Sequence, residues 1–428
     1  MKYTKIYLIA LIILFTGCNS NSSSKQLPDT KTWSTPEPFF QSSGYSVTEI
    51  DSQGNIIIVT WHYNNNNGHY ELIRHESRGN IWCEAELISN VPNQSYNPVY
   101  KPVVAMDNNG NAIIVWYQTG EVALIITEFR NGFWSPPRVL SYLDAGSSGH
   151  SVAMNDLGHA IIVWETNNTI YKTESMDGDW STPEPVATGY YVRSPEVRIN
   201  AEGNGVLIWR EDYNATLVSS ELVQGVWNTP KTVGTTESVL YDVEMDESGN
   251  AIVVWMNQND TGTNAQIYMN ELKSNVWSGP KSVSMDGVHT INPNLALSAN
   301  GNAIITWQQL MGTAYQIYRI ELMDGYWDTP VPVSSAGIES VNPLAKIDKN
   351  GNAILVWNEK NGSSWQLMMS QLIQGSWTDG EYFTSSDNTL NPINYDMDMN
   401  CNGEAVFVWG QSDNDTWYEY RSLYNQLR

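Results

Sequence analysis

The sequence predicts an all-β ring built from eight radial blades, and three observations predict it. Tryptophan returns at a near-constant step: Trp33, Trp82, Trp134, Trp180, Trp227, Trp277, Trp327 and Trp377 each open a W-x-x-P-like stretch, 46 to 52 residues apart. A second series, Trp61, Trp116, Trp164, Trp209, Trp255, Trp307, Trp357 and Trp409, closes a G-N-A-I-I-V-W-like stretch. Between the two series the apolar residues follow strand periods, with no 3.6-residue pattern. A repeat of about 50 residues cannot bury a core alone, so each unit must stack on its neighbours.

Residues 291–334 show the order of elements within a unit. Asn292 to Leu297 is a short strand after a polar lead-in, and Ser298-Ala299-Asn300-Gly301 is a turn. Asn302 to Trp307 is a dense apolar strand, Gln316 to Leu322 a third rich in Ile and Tyr, and Trp327 to Val333, after Asp324-Gly325, a fourth. The second strand is apolar at consecutive positions, as in Ala112-Ile113-Ile114-Val115-Trp116, which suits a strand covered on both faces. Three residues ahead of each glycine that leads into this strand stands a short acceptor: Asp51, Asp107, Asn155, Asn200, Asp246, Ser298, Asp348 or Asn400. Such a side chain opens a turn, and glycine completes it in the left-handed region. A calcium loop needs several carboxylates and an acidic closing ligand. Most copies here have one Asp or none, so no metal and no cofactor is expected. In the first repeat, Gly54 to Trp61 holds one residue more than its counterparts, and a β-bulge is expected there.

Counting the strands predicts how the ring closes. The first three strands recur eight times between about Ser46 and Leu423. The fourth follows a third strand seven times, and its eighth copy, Trp33-Ser34-Thr35-Pro36-Glu37-Pro38, precedes the first blade. The N-terminal strand should therefore complete the last blade and leave no open sheet edge. Residues 33–428 read as one eight-bladed β-propeller.

On these residues the chain resembles bacterial β-propeller lipoproteins, from Trp33 onward, and distantly the sialidase-type and lectin propellers. The glycine doublet of kelch repeats is absent. Gly158-His159 with Trp164-Glu165 is a lone echo of WD repeats. Asp107-Asn108-Asn109-Gly110 through Trp116 is similar in flavour to the Asp box of sialidases but differs in spacing, so no specific family is matched.

The N-terminus reads as a targeting segment. Lys2 and Lys5 precede an apolar run from Ile6 to Phe15, too short to cross a bilayer, which leads into Phe15-Thr16-Gly17-Cys18. That run resembles a bacterial lipobox, with Phe15 where Leu is commonest. The resemblance implies a signal peptide at 1–17, lipid on Cys18 and a Ser/Asn-rich tether at 18–32. It places the protein in the bacterial cell envelope, on the outer membrane in a diderm. Asp and Glu number 46 against 22 Lys and Arg, a net charge of −24, which disfavours nucleic acid. Cys83 and Cys401 fall at unrelated repeat positions, so a bridge between them and two idle thiols both stay open.

Chemistry should sit on the face that carries the longer, variable loops, between strands two and three and between blades. Planar and amide side chains gather there in the sequence. Blade 1 offers His62, Tyr63, Asn64, His69 and Tyr70; later blades offer Tyr117, Glu165, Arg210, Tyr213, Gln308, Asn358 and Trp417. The segments leading into the blades add Tyr96, Asn97, Asn292, Asn342 and Asn391. Aromatic faces stack on sugar rings and amides exchange hydrogen bonds with hydroxyls, so a glycan or an envelope protein is the expected partner. Asn and Gly are also ordinary loop formers. Sixteen of the eighteen tryptophans hold two fixed repeat positions and are expected in the inter-blade core. A sialidase-like hydrolase would need arginines from several blades, whereas Arg193, Arg198 and Arg210 all fall in blade 4. Glu211 and Asp212 are the carboxylates to consider if the face cleaves glycans. A scaffold in an envelope complex is the third reading.

Overall fold

The computed structural model describes residues 32–425 apart from 42–43, 67, 90–98, 119–121, 145–148, 212–214, 237–239, 259–263, 384–392 and 414–415. The described residues form eight antiparallel sheets and no helix. In each sheet the innermost strand is followed outward by the second and third, and the outer strand is split in two. Blade 6 is representative: Thr290–Leu297, Ala303–Met311, Ala314–Met323, then Tyr326–Trp327 and Val331–Pro332, both of which pair with the third strand. The W-x-x-P stretch predicted as one strand is therefore two short ones, in blades 1 and 7, which have no proline there, as in the blades that have it.

The ring closes as the strand count predicts. Thr32–Trp33 and Glu37–Phe40 pair with Thr416–Asn425, so the chain's first strand completes blade 8. On the face of short turns, hydrogen bonds then run unbroken from blade to blade. Asn400 Nδ2 donates to the Asp51 carbonyl, Ser52 N to Asn108 Oδ1, Asn108 N to Asp156 Oδ1 and Asn155 Nδ2 to the Asn200 carbonyl. Asn200 Nδ2 donates to Glu247 O, Glu247 N to Ala299 O, Asn300 Nδ2 to Lys349 O and Lys349 N to Cys401 O, which returns the circle to blade 8. Each turn is held from within as well: Asp51 Oδ1 accepts from Gln53 N and Asn55 N, and Oδ2 from Asn55 Nδ2. Cys401 is a free thiol, which excludes the bridge to Cys83.

The core lies between blades. Trp116, Trp164, Trp209, Trp255, Trp307, Trp357 and Trp409 are 0–1% exposed, and each packs against the second strand of the blade before it. Trp255 lies so close to Gly234 of blade 4 that a Cβ there would stand 2.4 Å from the indole. The outer-strand tryptophans form a second device. Trp134, Trp180, Trp227, Trp277, Trp327 and Trp377 each donate Nε1 to a glutamate on the third strand of the preceding blade: Glu76, Glu128, Glu174, Glu221, Glu271 and Glu321. The sequence reading saw these tryptophans and missed their glutamates.

The eighth member of the buried series departs from it. The expected bulge does not form: Tyr45 to Ile50 pairs with Trp61 to Ile56 in unbroken register. The additional residue instead moves Trp61 one step along a regular strand, and alternation turns it to the other face. Thr60 takes the tryptophan slot, and half-buried Trp61 packs toward blade 2 beside Ile57, Val59 and Tyr70. Bulges occur instead in the inner strands of blades 2, 4, 6, 7 and 8.

Candidate functional site

The second strands end, and the inner strands begin, on the long-loop face. The structure places the described candidates there, in distinct surroundings. Gln308 is buried, and its Oε1 accepts from Asn292 Nδ2 at 2.7 Å and from Asn342 N at 2.9 Å. Asn292 Nδ2 also reaches Asn342 Oδ1 at 3.4 Å. Asn292 (φ 53°) and Asn342 (φ 57°) sit at the inner-strand bulges, where Asn tolerates the left-handed backbone before Pro293 and Pro343. These three candidates are thus brought together, and they clip blade 6 to blade 7. Glu165 does the same for blades 3 and 4, accepting from Ser194 N at 2.6 Å. Tyr117, Arg210 and Asn358 are buried at the corresponding repeat position. Glu211 accepts the indole N–H of Trp209 at 3.1 Å. Trp417 is half-buried at the start of the third strand of blade 8. Tyr96, Asn97, Asp212, Tyr213 and Asn391 lie outside the described residues, as does Cys18.

Blade 1 carries a run of four aromatic rings that is partly open. Tyr45 (53% exposed) stacks on Trp61, with centroids 5.4 Å apart and planes at 25°. Trp61 meets Tyr70 at 5.3 Å, and Tyr70 meets Tyr63 (46% exposed) edge-to-face at 5.1 Å. Four rings from three adjacent strands make one continuous wall at the inner rim. On the other face of the same strands, Asn64 Nδ2 donates to Glu71 Oε2 at 2.9 Å, and His62 Nε2 lies 3.6 Å from the same oxygen. Burial lowers the His62 pKa below the usual imidazole range, so its ring is neutral at pH 7. Tyr63 and His62 came from the loop composition. Tyr45 and Trp61 did not, and the signal for them was the lengthened interval in the first repeat, read as a bulge instead of a change of face.

The axial channel is a second concavity, a cavity of about 700 Å³. Glu49, Glu196, Asp242, Glu244, Asp396 and Asp398 line it with Arg198 and Lys346. Part of this charge serves the fold. Asp396 Oδ2 accepts from Thr48 N at 2.8 Å, and Asp242 Oδ2 from Leu295 N at 2.9 Å, so carboxylates of one blade cover the free inner edge of the next. Burial pushes Glu196 up to about 8 and Asp396 up to about 6. Among the described residues no three His, Cys, Asp or Glu side chains are grouped to hold a metal ion.

The sequence matches no family model and no curated protein. Solved structures share the fold. A polysaccharide lyase, an ulvan lyase bound to a glucuronate–sulfated rhamnose fragment, aligns at 14% identity over 76% of this chain and 93% of its own, with a TM-score of 0.50. A prolyl endopeptidase aligns at 9% identity over 87% of this chain and 55% of its own, also at 0.50. A protein of unknown function from Dyadobacter fermentans aligns at 12% identity over 93% and 99%, at 0.45. Identities this low establish a β-propeller and nothing finer, in keeping with a sequence that fits no named family.

Proposed function

We propose that the protein is a lipid-anchored envelope protein whose propeller binds carbohydrate on the long-loop face, at the wall formed by Tyr45, Trp61, Tyr63 and Tyr70. One observation carries this reading. Seven tryptophans of a repeat series are sealed in the core, and the eighth, Trp61, is turned out of it into a run of partly open rings. A half-buried indole stacked between tyrosines forgoes part of the burial that its counterparts enjoy, and stacking on the C–H face of a sugar would recover it. The tyrosine hydroxyls of Tyr45, Tyr63 and Tyr70 supply the donors and acceptors that sugar hydroxyls need around such a surface. The exposed Asn342, the Asn292–Gln308 pair and Trp417 extend the same rim away from the wall. The N-terminal lipobox and tether would hold this rim at the membrane surface. The reading stands on these residues and not on the lyase, whose similarity speaks only for architecture.

The test is a glycan array probed with the chain from residue 30 onward. Binding that disappears in Tyr45→Ala and Trp61→Ala, in proteins whose melting is otherwise close to normal, is the expected result. Silence across the array, with capture of an envelope protein instead, would favour the scaffold reading. Hydrolysis of a fluorogenic glycoside panel would move the protein to the enzymes.

A further inference from the structure

The same displacement that opens the aromatic wall leaves an unusual group beneath it. Opposite the residue seven positions after each turn glycine, the third strands carry Leu72, Leu124, Ile170, Leu217, Ile267, Ile317 and Leu367, all 0% exposed. Each packs toward the following blade. Blade 8 places Glu419 there, opposite Gly410 and equally 0% exposed, facing blade 1. Across the seam, where another blade would present tryptophan, stands Thr60. Ser46 Oγ donates to Glu419 Oε2 at 3.1 Å and lies 3.0 Å from Thr60 Oγ1. Glu419 Oε1 has no partner among the described residues. Ser46 and Thr60 are the chain neighbours of Tyr45 and Trp61, and the two cross-strand pairs occupy opposite faces of the same sheet.

A carboxylate in this place would be a buried anion with one hydroxyl to solvate it, which costs far more than a buried acid. Burial pushes the Glu419 carboxyl up to about 8, and the Ser46 bond lowers it only in part. The charged and titratable groups on the surrounding strands are engaged elsewhere or are neutral. On blade 1, Tyr45 and Glu49 lie on the inner strand, and the imidazoles of His62 and His75 pack against Phe40, His75 being lowered by burial to about 4. On blade 8, Asp396 accepts from Thr48 N, Asp398 from Ile50 N, and Arg421 pairs with Glu37.

We propose that Glu419 is a buried proton switch for this rim: protonated, it belongs to a closed seam between blades 8 and 1, and ionised, it parts the seam and withdraws support from Tyr45 and Trp61. For its consequence on ligand binding the proposal rests on the carbohydrate reading above; for the seam itself it does not. The sign follows from linkage. An open seam returns the carboxyl to the ordinary glutamate range, whereas the closed seam keeps its proton to higher pH. Closure is therefore full in acid and is lost as pH rises, about tenfold per unit until the closed-state pKa is passed.

Hydrogen exchange in the full chain, corrected for the intrinsic pH dependence of exchange, reads this directly at residues 45–50 and 416–425. Burial also shifts Glu49 and Asp396 at this seam, so the comparison is with Glu419→Gln, which keeps the shape and loses the proton. Between pH 6 and 8 the wild type should lose about tenfold more protection per unit than the variant. Equal slopes overturn the switch. Glu419→Leu, which restores the residue type of the other blades, gives the same comparison if the glutamine variant fails to fold. Exchange is read without sugar, so a protein that binds no glycan still tests the seam. If glycans bind, wild-type affinity should fall across this range and Glu419→Gln affinity should hold. Affinity that stays level in the wild type severs the switch from the rim and overturns that half of the proposal.

Discussion

The interface between blades 5 and 6 and the seam between blades 8 and 1 perform one structural task with different materials. The first buries fourteen apolar residues, centred on Trp307, among those described; the second buries five. The first clips Trp327 to Glu271; at the seam the glutamate's place is taken by Leu423, and the guanidinium of Arg421 lies 3.6 Å over the Trp82 ring instead. Where blades 4 and 5 set Trp255 against Gly234, the seam has Thr60, with Phe40 at the register position of Gly234. The turn circle on the opposite face passes through both interfaces alike. Among the described residues one face of the ring is therefore uniform, whereas the long-loop face varies from blade to blade. The aromatic wall stands on blade 1, on the face of its sheet turned away from the seam.

The largest difference should come from removing the interior's anchor. Trp255→Ala opens a cavity over Gly234 and should cost about 3–5 kcal/mol in denaturant melts. A loss below about 1 kcal/mol would mean that the buried series is not what holds the blades together.

The clips should follow, with the opposite pH sense to the seam. Glu221 is 1% exposed and bonds Trp277, Ser219 and Lys231. Glu221→Leu leaves the Trp277 indole N–H with Ser219 Oγ alone and Lys231 without this carboxylate, and should cost about 1–3 kcal/mol. Burial alone would raise Glu174, but hydrogen bonds from His159, Lys172 and Trp227 outweigh it and hold that carboxyl down at about 2. A depressed carboxyl stabilises the fold above its unfolded pKa and ceases to do so as pH falls through its folded one. Interior stability contributed by Glu174 should thus fade between about pH 4.5 and 2, and an acid titration of Glu174→Gln should be flatter there than that of the wild type. A wild-type curve as flat as the variant's would remove the ladder from the account of stability.

Much of this was legible in the sequence, for a physical reason. Burying one face of a blade against the next demands the same residue at the same place eight times, so the blades, their turns and the closing strand all appear as period. The site did not, because it consists of departures from that period. Trp61 shares its residue type and nearly its position with seven core tryptophans, and only the parity of the strand separates it from them. Glu165, Gln308 and Asn292 look like ligand contacts by composition, yet backbone amides exposed at the inner-strand bulges claim the first two. The glutamates of the ladder were hidden for a different reason: a charged residue on a strand reads as solvent-facing until the neighbouring blade brings an indole to it.

A smaller effect tests whether Phe40 fills the missing tryptophan's place. Phe40→Gly should cost about 1–2 kcal/mol, less than an interior core truncation because the ring is only half-buried. Thr60→Trp alone should also destabilise, by overpacking against Phe40. Together they restore the pairing of Gly234 with Trp255, so the double variant should be more stable than either single one. Additive losses would show that the phenylalanine and the threonine are independent.

The smallest stability change belongs to the residue with the largest predicted effect on binding. Trp61 is half-buried and packs on Tyr45 and Tyr70, so Trp61→Ala should cost about 1–2 kcal/mol, well short of Trp255→Ala. Its cost to glycan affinity should be at least tenfold, because the indole is the central ring of the wall and its loss leaves Tyr45 and Tyr63 without a shared surface. The pair of measurements separates two explanations of why this tryptophan left the core. If it left as a harmless slip of one residue, Trp61→Ala changes melting slightly and binding not at all. If the slip was kept for the ring it exposes, stability and binding respond in the reverse order to the interior tryptophans, whose removal should unfold the blades before any rim contact is lost.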